Sequence, residues 1–209
     1  MTDFLARTRE SYDLMAASYA EQFDSELKGL AVDRALLAAF AELVPAGPVL
    51  EVGSGPGHTT AHLHELGLDV SGIDLSPRMV EIARTSHPQL RFEIGSMTAI
   101  DVPDASLAGL VSWYGLMHIP PAELPGVFAE FRRVVKPGGQ IAIAVVAGDE
   151  LVRRTEAFGQ EVELDYHLRE VDTLAAALNE AGLDAHTRVS RDPAGEQNYP
   201  RAYALVNRP

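Results

Sequence analysis

The sequence lacks three features that would place it in other classes of protein. It has no cysteine, which excludes disulfides, cysteine nucleophiles and thiolate metal sites together. Its longest apolar run, "IAIAVVA" at 141–147, is far shorter than the ~20 residues of a membrane helix. The opening "MTDFLARTRE" carries charge where a signal peptide is apolar. We therefore expect a cytoplasmic protein with no membrane partner.

Positive charge is also scarce. The 17 basic residues face 30 acidic ones, giving a formal net charge of -13, and no basic run is suited to follow a phosphate backbone. Nucleic-acid binding is therefore disfavoured. The chain has 209 residues, of which 46% are hydrophobic and 22% charged. This composition is typical of a soluble globular protein with one domain.

Strand and helix patterns alternate through the middle of the chain. Residues 10–44 predict helices that stop before Pro45 and Gly47. After them come predicted strands at 48–52, 69–74, 90–94, 107–113 and 140–147, with predicted helices at 57–66, 77–86 and 121–135. This alternation predicts an α/β protein with a doubly wound, Rossmann-like, mostly parallel sheet.

The last part of the chain has a weaker pattern. From residue 148 the sequence becomes polar and irregular until a predicted helix at 171–181, which ends at Gly182. Strands near 184–190 and 201–207 flank the turn-rich "RDPAGEQNYP". We predict that these two strands form an antiparallel hairpin, which closes one edge of a seven-stranded sheet.

The stretch "VLEVGSGPGHTT" at 49–60 reads as a strand, a glycine-rich turn and a helix, the start of a nucleotide-binding unit. A dinucleotide fingerprint has glycine at its first, third and sixth positions. Counting from Gly53, the third position is Gly55 but the sixth is His58. The observed pattern is instead Glu51 followed by glycine at alternate positions, ending at Gly57. A carboxylate at Glu51 would repel a diphosphate but can accept hydrogen bonds from an ammonium group.

A second acid follows at the end of the next predicted strand. In "GIDLSP", Asp74 stands 21 residues after Gly53, where an acid can accept both hydroxyls of a ribose. The pair of acids predicts a nucleoside ligand with a positively charged, amino-acid-like tail. The alternative is an ordinary strand-to-helix turn in which a protein group satisfies Glu51.

Five motifs in this order resemble those of the class I S-adenosylmethionine-dependent methyltransferases. They are "EVGSGPG" at 51–57, "GIDLSPRMV" at 72–80, "GSM" at 95–97, "LAGLVSWYGLMHIP" at 107–120 and "RRVVKPGGQIAIAV" at 132–145. The similarity begins at "YDLMAASY" and covers nearly the whole chain. It implies one methyltransferase domain made of N-terminal lid helices (1–47), a cofactor-binding core (48–147) and a part that completes the sheet and the acceptor pocket (148–209).

The resemblance also implies a role for individual residues. The implied contacts of S-adenosylmethionine are the backbone of Gly53, Ser54, Gly55 and Gly57 at the methionine portion, Glu51 at the ammonium, Asp74 at the ribose, Leu75 and Met79 on the adenine, Ser96 and Met97 at its edge, Trp113 near the sulfonium, and Tyr19 from the lid. The implied acceptor pocket contains Tyr12, Tyr114, His118, Tyr166 and His167. Met79, Trp113 and Tyr114 also fit an ordinary apolar core.

His118 is the candidate catalytic residue. It follows the fourth strand, where the acceptor is expected, and an imidazole can take a proton from a hydroxyl or an amine. The alternative is a histidine that only shapes the pocket. Tyr166 and His167 either complete that pocket or lie at the surface. We predict no metal site, because the acidic "EVELD" at 161–165 is typical of a solvated face.

The acceptor class depends on the segment after the fourth strand. Methylases of nucleobase amino groups often carry Asp- or Asn-Pro-Pro-aromatic there, whereas this chain has "SWYG" at 112–115. Together with the acidic charge, this favours a small-molecule acceptor with an oxygen, nitrogen or carbon acceptor atom, and a monomer or homodimer. The alternatives are a non-methylating protein that binds S-adenosylmethionine and, disfavoured by His58, an NAD-dependent oxidoreductase.

Overall fold

A computed structural model describes residues 3–23, 26–193 and 199–209. The helices are α1 (Asp3–Phe23), α2 (Glu26–Gly29), α3 (Ala31–Leu43), α4 (His58–Glu65), α5 (Pro77–Ser86), α6 (Leu124–Val134) and α7 (Val171–Glu180). The strands are β1 (Val49–Val52), β2 (Val70–Asp74), β3 (Arg91–Ile94), β4 (Leu107–Trp113), β5 (Val135–Val146), β6 (Leu151–Ala157), β7 (Gln160–His167), β8 (Asp184–Arg191) and β9 (Arg201–Asn207).

The central sheet confirms the predicted fold class. Its order is β3-β2-β1-β4-β5-β9-β8, with β1 to β5 parallel and β9 antiparallel to both of its neighbours. The chain crosses from one side of β1 to the other between β3 and β4. Ligands of open α/β sheets bind at such a switch point, beyond the carboxyl ends of the strands. The ends of β1, β2 and β4 therefore define the place of the site.

Helices cover both faces of the sheet and bury its central strands. Every residue of β4 is buried, as a strand covered by helices on both sides requires. On one face α6 packs Phe128 and Phe131 in a core shared with α7, and on the other α3 packs Leu37 and Phe40. This packing gives the strand ends a rigid frame.

Two predicted boundaries were wrong. The first helix begins at Asp3 rather than near residue 10. The fifth strand begins at Val135 rather than at residue 140, and it contains the "KPGG" segment as an irregularity between its first and second pairings with β4. Gly138, at φ 77, provides the left-handed backbone that this irregularity needs.

The segment from 148 to 170 is a further correction, since most of it forms a hairpin of β6 and β7 rather than irregular chain. Val162 and Leu164 alternate with exposed acids along β7 and pack against Met15 of α1. The many charged residues of this segment hide the alternation of buried and exposed positions that is typical of a strand. The predicted C-terminal hairpin is confirmed as β8 and β9, although 194–198 lie outside the described residues.

Candidate active site

A cleft with two lobes lies at the carboxyl ends of β1, β2 and β4, under the roof formed by α1. The space between atoms is about 760 Å³ in the first lobe and about 560 Å³ in the second, counting their open mouths. The lobes share five lining residues, which are Tyr19, Gly53, Gly55, Trp113 and Tyr114.

The glycine-rich loop separates the two lobes. Gly53, Gly55 and Gly57 have φ values of 73, 51 and 90°, which side chains rarely adopt. A Cβ at Gly55 would meet no atom within 4 Å, whereas one at Gly57 would lie 2.7 Å from Cζ of Phe92. Gly55 therefore exposes its backbone to the cleft. Gly57 lines neither lobe and instead allows α4 to begin against Phe92.

Asp74 lies in the first lobe, where the loop and the start of α5 hold its carboxylate. The backbone N–H of Gly55 donates to Oδ2 at 2.7 Å and that of Ser76 to Oδ1 at 2.8 Å. Burial raises the pKa of Asp74, although these bonds oppose the shift. Each carboxylate oxygen can accept a further hydrogen bond. The site can therefore bind two neighbouring hydroxyl groups.

Glu51 lies in the second lobe and is almost completely buried. Burial raises its pKa to about 8, while a hydrogen bond from the Thr60 hydroxyl opposes the shift. Among the described residues no basic side chain forms an ion pair with Glu51. A cationic group of a ligand in this lobe would supply the missing opposite charge and favour the carboxylate form.

The far end of the first lobe is mostly apolar. It contains Leu75, Met79, Ser96 and Met97, the residues that the family resemblance implies for an adenine. Met79 is also part of the packing of α5 and is only 1% exposed, so it belongs to the core as well as to the lining of this lobe. Ser54 lines the second lobe, but its hydroxyl packs against Gly72. Its backbone is therefore the part available to a ligand.

Tyr12 and His118 meet in the wall of the first lobe. The Tyr12 hydroxyl lies 2.8 Å from Nε2 of His118, and burial lowers the pKa of His118 to about 4. Burial also raises the pKa of the Tyr12 phenol. Both groups are therefore neutral at physiological pH. Tyr166 lines neither lobe, but its ring makes an edge contact with His118, with ring centroids 5.2 Å apart.

His167 lies outside the lining of both lobes. Its backbone carbonyl accepts a hydrogen bond from Arg169 at 2.8 Å. The same buried guanidinium donates to the carbonyls of Leu116 and Ile119 on either side of His118. Arg169 thus ties the end of β7 to the turn that carries His118.

Two buried charged residues near the cleft, Arg169 and Asp33, are absent from the predicted site. Asp33 of α3 accepts hydrogen bonds from Trp113 and Tyr114, which are 80 and 81 residues away in sequence. The only signal in the sequence is an acid within the otherwise apolar "AVDRALLAAF". Within the described residues no three His, Asp or Glu side chains come together as metal ligands would, and no helix is long and apolar enough to cross a membrane.

The sequence is similar to a known protein family and to several curated proteins. Residues 49–139 match a family model described as a methyltransferase domain. The chain is 30% identical over 174 residues to an arsenite methyltransferase of Halobacterium salinarum, covering 76% of this chain and 42% of the relative. It is 28% identical to the malonyl-[acyl-carrier protein] O-methyltransferase of Serratia marcescens, covering 78% of this chain and 62% of that protein. The chain thus spans about half the length of these curated relatives.

A solved structure shares the whole fold. The complex of DhpI with SAH superposes with a TM-score of 0.76 at 24% identity, covering 98% of this chain and 97% of that one. The likeness extends over the N-terminal helices and the C-terminal hairpin as well as the core. At this identity the likeness shows a shared fold. The family match shows a methyltransferase domain over residues 49–139, and the motif order and the relatives make the chain similar to the class I S-adenosylmethionine-dependent methyltransferases.

Proposed function

We propose that this protein transfers the methyl group of S-adenosylmethionine to a small-molecule acceptor. The observation that carries the proposal is the placement of Asp74 and Glu51 in the two lobes of one cleft, on either side of a bare glycine loop. One acid suits the ribose hydroxyls and the other suits an ammonium group. When bound, S-adenosylmethionine supplies a methyl group already activated by its sulfonium.

The described residues fit this cofactor along its length. Leu75, Met79 and Met97 give the apolar surface for an adenine, and the open space beside Gly55 admits a close approach to the backbone. Glu51 is buried without a cationic partner among the described residues, as a site for an ammonium group requires. We assign the methionine portion to Gly53, Ser54 and Gly55 but not to Gly57, which packs against Phe92.

The chain contributes mainly by positioning. Near-attack placement supplies about 7–11 kcal/mol, whereas a general base adds about 10²–10⁴-fold, or ~3–5 kcal/mol. His118 is unprotonated at neutral pH, the form that can accept a proton, but its Nε2 is paired with Tyr12. We propose that Tyr12 and His118 together orient the acceptor at the wall of the first lobe. Arg169 and Tyr166 hold the imidazole in place for this role.

A small acceptor agrees with the net charge of the chain and with the name of one curated relative. The net charge of -13 opposes a polyanionic nucleic acid. One curated relative is named for arsenite, a small acceptor, and another for a malonyl group carried on a protein. We also propose that the protein acts in the cytoplasm as a monomer or homodimer.

The proposal is tested by incubating the protein with S-adenosylmethionine and a panel of small hydroxyl, amine and carbon-acid acceptors. The expected result is formation of S-adenosylhomocysteine that depends on at least one acceptor and is lost in Asp74→Ala. If the protein binds S-adenosylmethionine tightly and no acceptor in a broad panel yields the product, a non-methylating binding protein becomes the better assignment. If the protein binds NAD instead, the proposal is wrong.

A further inference from the structure

Asp33 sits at the centre of a buried polar cluster behind the cleft. It is fully buried in the first turn of α3. Its Oδ1 accepts from Trp113 Nε1 at 3.2 Å and from the Tyr114 hydroxyl at 2.7 Å, and its Oδ2 accepts from the Tyr203 hydroxyl at 2.9 Å. Arg201 approaches Oδ1 at 3.9 Å. We call these five residues the Asp33 cluster.

Burying this cluster is less favourable in free energy than burying apolar side chains. Removing a carboxylate from water is unfavourable unless hydrogen bonds and an opposite charge compensate. In this case α3 supplies the acid, the end of β4 supplies two donors, and β9 supplies Tyr203 and Arg201. The cluster therefore joins segments from the beginning, middle and end of the chain. An apolar core at this place would pack these segments without a buried charge.

Two members of the cluster form the wall shared by the two lobes. Trp113 and Tyr114 line both lobes, whereas Asp33 lines neither. Tyr114 has φ 61, a left-handed backbone that is unfavourable for a tyrosine. Its backbone N–H donates to the Ala144 carbonyl at 2.8 Å. The strained backbone and the bond to Asp33 together fix where the phenol points.

The ring of Tyr114 is also held from one side. The Arg201 guanidinium carbon lies 4.6 Å from the centre of the Tyr114 ring, a cation–π contact. The Trp113 and Tyr203 ring centres are 5.8 Å apart. Since Arg201 also faces Asp33, the cation and the acid constrain the phenol from its face and from its hydroxyl. The Tyr114 side chain is thus constrained at the junction of the two lobes.

We infer that Asp33 is a positioning residue, whose carboxylate fixes the indole of Trp113 and the phenol of Tyr114 at the junction of the two lobes. The inference rests on the proposed function, because the two lobes are assigned to the two halves of one cofactor. Asp33 acts through these aromatic groups and does not itself touch the ligand.

The test uses the full chain and its single tryptophan. Trp113 is the only tryptophan, so fluorescence excited selectively in tryptophan reports on this wall. Affinities for S-adenosylmethionine and S-adenosylhomocysteine are measured by calorimetry for the wild type, Asp33→Asn, Asp33→Ala, Tyr114→Phe and the double variant Asp33→Ala/Tyr114→Phe. The control is Asp172→Asn, an exposed acid of α7 that pairs with Arg188.

We expect changed Trp113 emission in both Asp33 variants and at least tenfold weaker binding in Asp33→Ala, equivalent to ~1.4 kcal/mol. Asp33→Asn keeps one acceptor oxygen and should recover part of this loss. In the Tyr114→Phe background, the loss of affinity caused by Asp33→Ala should be at least threefold smaller, because substitutions of contacting residues do not have additive effects. The control should match the wild type.

The outcomes separate the inference from the proposed function. A wild type that binds neither ligand overturns both. A wild type that binds, with Asp33 variants that bind within twofold of it or with strictly additive effects, overturns only the inference. A purely structural role would lower the Tm and leave the affinity of the folded protein unchanged. If Asp33→Ala does not fold, Asp33→Asn and Tyr114→Phe decide, and normal binding by both overturns the inference.

Discussion

The Tyr12 hydroxyl lies 2.8 Å from Nε2 of His118 and joins α1 to the turn after β4. One residue further along α1, Asp13 accepts a hydrogen bond from the Ser76 hydroxyl at 2.5 Å, at the start of α5. The same helix is thus attached to both sides of the first lobe. This explains why the N-terminal helix is part of the site and not only packing on its outside.

Removing the Tyr12 hydroxyl should impair transfer more than cofactor binding. Tyr12→Phe leaves the ring in the wall but leaves Nε2 of buried His118 without its hydrogen-bond partner. A neutral hydrogen bond contributes about 0.5–1.5 kcal/mol, so we expect turnover to fall up to about tenfold with the cofactor affinity within about threefold of wild type. Steady-state kinetics with calorimetry checks this. The matched control is Tyr199→Phe, at an exposed position, and equal turnover in both variants would contradict the role of Tyr12.

The pH dependence of stability should report the buried imidazole of His118. Its pKa is lowered from 6.5 to about 4 in the folded state, so the unfolded chain takes up this proton first. The contribution of the neutral ring is therefore complete above pH 6.5 and is lost as the pH falls toward 4, by about 1.4 kcal/mol per pH unit. The free energy of unfolding is measured in urea at neutral pH and at about pH 5. Its decrease between these two pH values should be smaller in His118→Gln than in wild type. An identical loss would contradict the lowered pKa.

Glu51→Gln should stabilise the free protein and weaken the complex. The pKa of Glu51 rises from 4.5 to about 8 on folding, so the folded chain holds a proton that the unfolded chain has released. Stability from this group therefore falls as the pH rises from 4.5 to 8. The neutral amide avoids this loss, and we expect a gain of more than about 1 kcal/mol near pH 8. Binding of S-adenosylmethionine should weaken at least about tenfold.

The control for Glu51→Gln is Glu65→Gln, since Glu65 is exposed at the end of α4. It should change neither the unfolding free energy nor the affinity. A Glu51→Gln protein that binds S-adenosylmethionine like the wild type would show that this carboxylate does not meet the ammonium group.

Two glycines of the same loop should respond differently to alanine. Gly57→Ala brings a Cβ to 2.7 Å from Phe92 at φ 90, so we expect a loss of stability of about 1–3 kcal/mol. Gly55→Ala meets no atom within 4 Å, and its methyl group would stand in the cleft. It should lower the cofactor affinity by a larger factor than Gly57→Ala does in the folded protein. Thermal unfolding and calorimetry separate the two effects, and equal affinities would contradict the assignment of Gly55.

The sequence predicts those parts of the site that depend on local pattern. Alternating strands and helices determine a parallel sheet, and the ends of its strands bring Glu51 and Asp74 to one edge. The hairpin of β6 and β7 escaped prediction because exposed acids interrupt its apolar positions. Asp33 and Arg169 escaped because the partners that connect them to the site lie 50 or more residues away. Tyr12 and His118 were both candidates, but no local signal links residues 106 positions apart.

The most direct test of the account is equilibrium binding of S-adenosylmethionine and NAD to the wild type and to Asp74→Asn, with Asp69→Asn as an exposed control. Asp74→Asn keeps one acceptor oxygen, but it replaces the other with a donor that faces the N–H of Gly55 or of Ser76. We predict that the wild type binds one S-adenosylmethionine and no NAD, and that Asp74→Asn binds it about 10- to 100-fold more weakly. The control should bind normally. Binding of NAD, or equal affinity in Asp74→Asn and wild type, would contradict the account.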